Sequence, residues 1–266
     1  MFHMEYYAIS DIGKLRSSNE DCYYAENNLF IVADGMGGHN AGEIASRYAI
    51  DYFIEHFTGL LASHSVQSDR KIQTEKTNNI SKIISKNNSA DKIQKMLIES
   101  IEYSNSQIYR MGLENEEYNG MGTTFTCLFI KNEKCYVVHV GDSRLYLFRD
   151  SELNLLTEDH TFVFALYKKG AITYKELFTH PQRNYLTGII GENDISTLEC
   201  FKFDLQKDDI VCICSDGLSS MVYDTSIRQI IEKSKNKTAR LIAENLVKKA
   251  SKNGGNDNIT VIVIKN

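Results

Sequence analysis

Phe30-Ile31-Val32-Ala33-Asp34 is a short apolar run, rich in β-branched residues, that stops on a carboxylate. Such a run reads as a buried strand. Three other places repeat the pattern. Val137-Val138-His139-Val140 leads into Gly141-Asp142, Ile210-Val211-Cys212-Ile213-Cys214 leads into Ser215-Asp216, and Ile259-Thr260-Val261-Ile262-Val263-Ile264 follows Asp257. A carboxylate at a strand mouth sits where a rigid sheet can aim it. Several aimed at one place repel each other unless a cation lies between them. The four runs therefore predict a metal centre built across a sheet, and with it hydrolytic or phosphoryl chemistry.

Outward from these runs, residues 5–10 and 21–33 read as strands bracketing a polar turn. From Asn40 to Phe57 the apolar positions Ile44, Ala45, Tyr48, Ala49, Tyr52 and Phe53 recur at helical spacing. Segment 62–90 is dominated by Ser, Lys, Asn, Gln and Thr. It reads as a polar insertion, either solvated and partly disordered or an extension of the flanking helices. A second helix is predicted over about 91–111, then strands over 122–130, 134–140 and 143–149. Segment 160–195 is mixed, with helical pieces over 161–169 and 173–178 and the chain's only proline, Pro181. A strand pair over 197–203 and 209–214, amphipathic helices over 225–233 and 237–252, and a strand over 258–264 complete the chain. Helices fall in two blocks between runs of strands. That arrangement predicts an antiparallel α+β fold and not a doubly wound parallel one. No repeat or linker divides residues 1–266, so a single domain is expected.

The composition narrows the function classes. A hydrophobic content of 42% supports a sizeable core, and a net charge of −5 without a long basic stripe argues against nucleic-acid binding. None of the six cysteines forms a C-x-x-C pair, so they read as small core hydrophobes in a reducing compartment and not as a zinc site. The N-terminus lacks a basic region followed by an apolar one, and no apolar run approaches the ~20 residues that span a bilayer. A soluble cytoplasmic monomer without membrane insertion is expected.

Asp34-Gly35-Met36-Gly37-Gly38-His39 combines an Asp-Gly turn signal with glycines that let backbone approach a ligand. It is not a P-loop, because no Gly-Lys-Ser/Thr follows. It is not the dinucleotide fingerprint, because Asn40 stands where the third glycine should be. Asp216-Gly217 and Gly254-Gly255-Asn256-Asp257-Asn258 repeat the pairing of carboxylate and glycine. Oxygen donors without a His/Cys cluster select Mg²⁺ or Mn²⁺. A bridging aspartate with further carboxylates can hold two such ions roughly 3.5–4 Å apart.

Six boxes carry a family resemblance. They are Arg16-Ser17-Ser18-Asn19-Glu20-Asp21, Asp34-Gly35-Met36-Gly37-Gly38, Gly120-Met121-Gly122-Thr123-Thr124, Gly141-Asp142-Ser143-Arg144, Ser215-Asp216-Gly217-Leu218 and Gly255-Asn256-Asp257-Asn258-Ile259-Thr260. In this order they resemble the type 2C, metal-dependent (PPM) serine/threonine protein phosphatases, and the bacterial branch above all. The likeness runs from about residue 6 to 264, apart from the polar insertion. It implies an α-β-β-α sandwich of two antiparallel sheets flanked by helices. It also implies roles. Asp34 would bridge two Mn²⁺ or Mg²⁺ ions, Gly35 would ligate one through its carbonyl, and Asp216 and Asp257 would complete the other. Glu20 and Asp21 would hold metal-bound waters. Arg16 would clamp the substrate phosphate, and a metal-bound hydroxide would attack phosphorus in line. Asp142, with Asp216, would hold a third and weaker ion, because Ser220 stands where the family supplies an aspartate.

For the general acid, eukaryotic members carry a histidine after the Asp-Gly. This chain has Met36 there, which leaves His39 as the candidate. His139, inside a strand, reads as structural. His180-Pro181-Gln182-Arg183-Asn184 resembles the segment after the family's flap, which makes 160–180 a flap beside the cleft; flaps commonly set protein-substrate choice. The basic residues of 227–252 read as solvated helix faces and not as a binding patch. The implied activity is hydrolysis of phosphoserine and phosphothreonine in phosphoproteins, opposing bacterial serine/threonine kinases. The competing readings are a pseudophosphatase acting as a binding module, a regulatory phosphatase for anti-sigma-antagonist proteins, and a phosphodiesterase. The last lacks a His-x-His-x-Asp pattern.

Overall fold

Alternate residues of the strand Leu29–Met36 are buried on opposite faces. Leu29, Ile31 and Ala33 enter one apolar cluster, and Phe30 and Val32 enter another. Period-2 burial on both faces belongs to a sheet covered on both sides. The computed structural model describes residues 4–37, 41–74, 81–195 and 197–266, with the backbone alone for 64–74, 81–91 and Phe178.

In chain order the described strands are β1 (Glu5–Asp11), β2 (Asp21–Glu26), β3 (Leu29–Met36), β4 (Gly122–Thr123), β5 (Phe125–Lys131), β6 (Lys134–Val140), β7 (Arg144–Arg149), β8 (Glu152–Leu155), β9 (Glu199–Asp204), β10 (Ile210–Cys214) and β11 (Ile259–Lys265). The helices are α1 (Ala41–Thr74), α2 (Ser81–Glu114), α3 (Phe162–Lys168), α4 (Asp216–Ser219), α5 (Asp224–Ser234) and α6 (Ala239–Lys252). One sheet runs β1-β11-β10-β7-β8. The other runs β2-β3-β5-β6-β9, with β4 beside β3. Every pairing is antiparallel.

Phe30, Val32, Val137, Val211, Ile213 and Ile262 fill the space between the sheets. Helices α1 and α2 cover the outer face of the second sheet, and α5 and α6 cover the outer face of the first. This is the expected α-β-β-α sandwich. No helix among the described residues is long and apolar enough to cross a membrane.

Four elements differ from the sequence reading. Residues 21–33 hold a hairpin and not one strand, because Asn27 and Asn28 take φ of 53° and 62°. Two consecutive left-handed residues make the tight two-residue turn whose twist suits antiparallel strands. The same device at Asp150-Ser151 (φ 52° and 64°) creates β8, whose half-polar sequence hides it. Residues 197–203 and 209–214 do not pair. Strand β9 lies beside β6, and β10 lies between β7 and β11 in the opposite sheet. The connection crosses the sandwich, with Leu205 buried between the sheets and Asp209 gripping Arg149 at 2.8 and 2.7 Å. Segment 173–178 is a 3₁₀ turn, Tyr174–Phe178. Of the two forms considered for the polar segment, the described backbone takes the helical one, through Thr74 and again from Ser81; 75–80 lie outside the described residues.

Candidate metal centre

Strand parity puts Asp34 on the face shared by Phe30 and Val32, at the open end of the space between the sheets. Its cross-strand partner on β2 is another carboxylate, Asp21. Like charges placed directly opposite destabilise a sheet, so this pairing needs a compensating charge. The backbone of Asp34 is tightly held. Its N–H donates to Thr124 Oγ1 (2.9 Å), and its carbonyl accepts from Thr124 N (2.9 Å) and Thr123 Oγ1 (3.0 Å).

Asp21 ties the two sheets together at this end. Its Oδ2 accepts from Ser215 Oγ at 2.7 Å and Thr260 Oγ1 at 2.6 Å, both from the opposite sheet. Asp216 opens α4, directly after β10. A Cβ on Gly217 would lie 1.9 Å from the Asn258 carbonyl, so glycine alone lets α4 close onto the loop that carries Asp257. Asn258 fastens that loop to the Arg16 loop. Its Nδ2 donates to the carbonyls of Ile12 (3.0 Å) and Ser18 (2.9 Å), and its Oδ1 accepts from Glu20 N (2.9 Å). Gly35 sits where a Cβ would be 2.0 Å from the Gly42 carbonyl, which brings the start of α1 against β3 and the Glu20 carboxylate.

Arg16 grips Asp257 with two prongs, Nε to Oδ1 at 2.8 Å and Nη2 to Oδ2 at 2.9 Å. Asp142, at the end of β6, shares a cavity of about 300 Å³ with Asp216 and Asp257. Ser220 and Met221 line it after α4, Thr161 and Leu177 line it from the predicted flap, and Arg183 lines it from the segment after the flap. His39 lies outside the described residues.

The carboxylates strain one another. Burial pushes the Asp34 carboxyl well above the usual range, and Asp21, Asp216, Asp142 and Asp257 add to that. Burial also raises Asp142 strongly, with Asp216 and Asp159 adding to it and Arg144 opposing. Asp21 is raised to about 6, chiefly by burial, against its two hydroxyl donors. Asp216 is raised to about 7 by burial, then by Asp257 and Asp21. One oxygen of Asp21 (Oδ1) and one of Asp216 (Oδ1) are buried without any hydrogen-bond partner. Buried partnerless polar atoms are uncommon and call for a partner, a water or an ion. Among the described residues no three acidic, histidine or cysteine side chains close on a single point. The donor set nonetheless suits hard divalent cations: oxygen donors only, mutually repelling, with two buried carboxylate oxygens left without a partner.

A measurable consequence follows for the metal-free protein. A carboxyl whose folded pKa lies above its unfolded value of ~3.9 holds extra protons when folded. Stability then falls as pH rises from about 4 through about 7, the range set by Asp21 and Asp216. With EDTA, melting is expected to be higher at pH ~5 than at pH ~7.5, and Mn²⁺ to restore the loss at pH ~7.5. A melting temperature that climbs steadily with pH in EDTA would contradict the placement of these groups.

Two histidines back the site. Both ring nitrogens of His139 are engaged, Nδ1 with Thr126 Oγ1 (2.8 Å) and Nε2 with the Glu158 carbonyl (3.0 Å). Burial lowers its pKa to about 4, so it is a neutral structural group. His160 Nδ1 accepts from Gly141 N at 3.1 Å, which steadies the turn before Asp142. Sequence reasoning gave no role to Ser215, Thr260, Asn258 or His160, although the first three stand in its boxes. The usable signal was parity: Thr260 shares the inward face with Ile262 and Ile264, an odd place for a hydroxyl unless something there accepts it.

Arg144 pairs with Asp159, through Nε at 2.8 Å and Nη2 at 2.6 Å. Its Nη1 donates to Tyr146 Oη at 3.0 Å. Asp224 accepts from Tyr146 Oη (2.9 Å) on one oxygen and from Tyr174 Oη (3.0 Å) on the other. The 3₁₀ turn of segment 160–180 is thereby clasped to the core.

The chain resembles known proteins over nearly its whole length. The protein phosphatase 2C family profile matches residues 17–250. Protein phosphatase PhpP of Streptococcus pneumoniae is 34% identical, over 98% of this chain and 97% of that protein. The structure of the Mycobacterium tuberculosis serine/threonine phosphatase PstP/Ppp superposes with a TM-score of 0.80 at 31% identity, covering 98% of each chain. The catalytic domain of PstP solved with two manganese ions gives a TM-score of 0.77 at 30% identity, covering 98% of this chain and 97% of that one.

Proposed function

The chain belongs to the protein phosphatase 2C family of serine/threonine phosphatases, and on that premise we propose that its carboxylate cluster holds two divalent cations, Mn²⁺ or Mg²⁺, for hydrolysing phosphoserine and phosphothreonine in proteins. The observation that carries the reading is the pair of buried, partnerless oxygens on Asp21 and Asp216 beside Asp34. Bound there, such cations acidify water and offset charge on the phosphoryl oxygens.

In this reading Asp34, the Gly35 carbonyl, Asp216 and Asp257 hold the ions, and Glu20 and Asp21 orient their waters. Asp142 and Asp216 contribute to a third, weaker position, with Ser220 as a poor neutral donor. His39 is the proposed proton donor to the leaving oxygen. The phosphoproteins served would include a bacterial serine/threonine kinase and that kinase's substrates, in the cytoplasm. Isothermal titration with Mn²⁺ tests the reading without turnover. About two ions per chain are expected for wild type, and loss of at least one in Asp216→Asn. A flat wild-type titration would favour the binding-module reading.

Arg16 has two partners to serve. The fork that now holds Asp257 has the shape that grips a phosphate. Arg16→Ala is therefore expected to raise KM for a phosphothreonine peptide by about tenfold or more. It is also expected to tighten Mn²⁺ binding in calorimetry, because Asp257 loses its competing cation. Weaker Mn²⁺ binding in the variant would show that Arg16 supports the ion site and does not compete with it.

The Tyr174 clasp gives a second kinetic prediction. Tyr174→Phe removes one hydrogen bond, of about 1 kcal/mol, between the flap turn and Asp224. A few-fold change in KM for a phosphopeptide is expected, with p-nitrophenyl phosphate hydrolysis unchanged. Equal changes on both substrates would place the effect in the metal centre and not in the flap.

A further inference from the structure

Residues 224–252 carry eight lysines and arginines against three acidic residues, on a chain whose formal net charge is −5. Positive charge is thus concentrated on α5, α6 and the turn between them, and the rest of the protein is more acidic than the total suggests. Each of the three acids of this segment has a partner on at least one oxygen. Glu232 pairs with Lys235 at 2.7 Å, Glu244 with Arg240 at 2.7 Å, and Asp224 with the tyrosine hydroxyls of the clasp. Lys233, Lys248, Lys249 and Lys252 are in no ion pair among the described residues. These four lysines rim a groove of about 370 Å³ between the two helices, with the partly buried Ile230 among its lining. Lysine stems add methylene surface while their ammonium groups stand at the rim. The sequence pattern suggested ordinary solvated helix faces. Here Ile230 and the lysine stems form an apolar strip beside Ser234 and Asn245, ringed by cations that are in no ion pair among the described residues.

The groove also points at the cleft. Lys252 is followed by Asn253, whose Nδ2 donates to the Met221 carbonyl at 2.7 Å, and Met221 lines the cavity beside Asp216. A chain lying along α6 toward its C-terminus is led to the metal centre.

We propose that this groove docks an acidic segment of the phosphoprotein substrate, one with an apolar side chain for the Ile230 floor. The proposal rests on the phosphatase reading given above. Charge complementarity selects the occupant. A short acidic segment senses the lysines within a Debye length of about 8 Å at physiological salt, whereas a duplex or bilayer also meets the acidic remainder of the protein. The lysines supply steering and register, and the floor supplies the apolar contact.

The test uses the full chain and two arms. In the first, a labelled peptide of glutamates and aspartates around one leucine, without phosphate, is titrated by fluorescence anisotropy. Binding is expected that weakens sharply from about 50 to about 500 mM NaCl, and that drops about tenfold in Lys233→Gln/Lys248→Glu/Lys252→Gln. In the second, two phosphothreonine peptides are compared, one with that acidic extension and one with a neutral extension. The triple variant is expected to raise KM about tenfold for the acidic peptide only, with kcat and p-nitrophenyl phosphate hydrolysis unchanged. Equal effects on both peptides, no effect on either, or binding of phosphatidylserine vesicles or duplex DNA in place of the peptide would overturn the proposal. Failure of wild type to hydrolyse p-nitrophenyl phosphate would instead count against the phosphatase reading, and the anisotropy arm would still judge the groove.

Discussion

Asp34→Asn is expected to remove turnover by at least about 10³-fold while making the metal-free protein more stable. The two effects share one cause. Asp34 is surrounded by Asp21, Asp216, Asp142 and Asp257, and burial with their repulsion holds its carboxyl far above the ordinary range. A neutral amide of the same size removes that repulsion. It also removes a carboxylate that would help to hold the proposed cations. In EDTA the variant should therefore melt higher than wild type, by roughly 2–4 °C for each kcal/mol of relieved repulsion. Mn²⁺ should raise the melting temperature of wild type and leave the variant nearly unmoved. Paired melting curves and phosphopeptide assays check both halves. An inactive variant that melts lower in EDTA would point to a folding defect, and an active one would remove Asp34 from the site.

Arg144→Met carries the largest expected stability loss, about 3–5 kcal/mol. The Arg144 side chain is 7% exposed and that of its partner Asp159 12%, so the pair is shielded from water on both sides. Methionine fills much of the volume but leaves Asp159 without its two donors, Tyr146 Oη without one, and Asp224 with less positive charge nearby. An uncompensated buried carboxylate is among the costliest single changes in a core. Urea unfolding should show a lower midpoint, and adding Asp159→Leu should recover much of the loss by removing the orphaned charge. A single variant as stable as wild type would mean that the pair is better solvated than its geometry indicates.

The strands at the site were legible because each is an apolar, β-branched run of the right length with a carboxylate at one end, and burial on both faces leaves little polar alternation to confuse the reading. The helices over Ala41–Thr74 and Ser81–Glu114 were legible only where an apolar stripe exists, and their polar continuation gave no such signal. Turns formed by Asn27-Asn28 and Asp150-Ser151 need left-handed backbone without glycine, which local composition announces weakly. The separation of β9 from β10 into different sheets was not legible at all, since neighbours in sequence usually pair and the crossing depends on Leu205 and on the Asp209–Arg149 grip.

At the site, the aspartates stood out and their supports did not. Ser215 and Thr260 look like ordinary strand residues until the second sheet brings Asp21 between them. The Arg16–Asp257 grip was equally hidden. Sequence boxes name both residues but cannot say that the arginine grips the carboxylate.

The most direct measurement is hydrolysis of a phosphothreonine peptide by wild type and Asp216→Asn, with Mn²⁺ and with EDTA. Turnover by wild type only when metal is present, and none by a variant that keeps its fold, is the predicted result. Wild-type protein inactive at every Mn²⁺ and Mg²⁺ concentration, or active in EDTA, would contradict the account of a phosphatase built on these carboxylates.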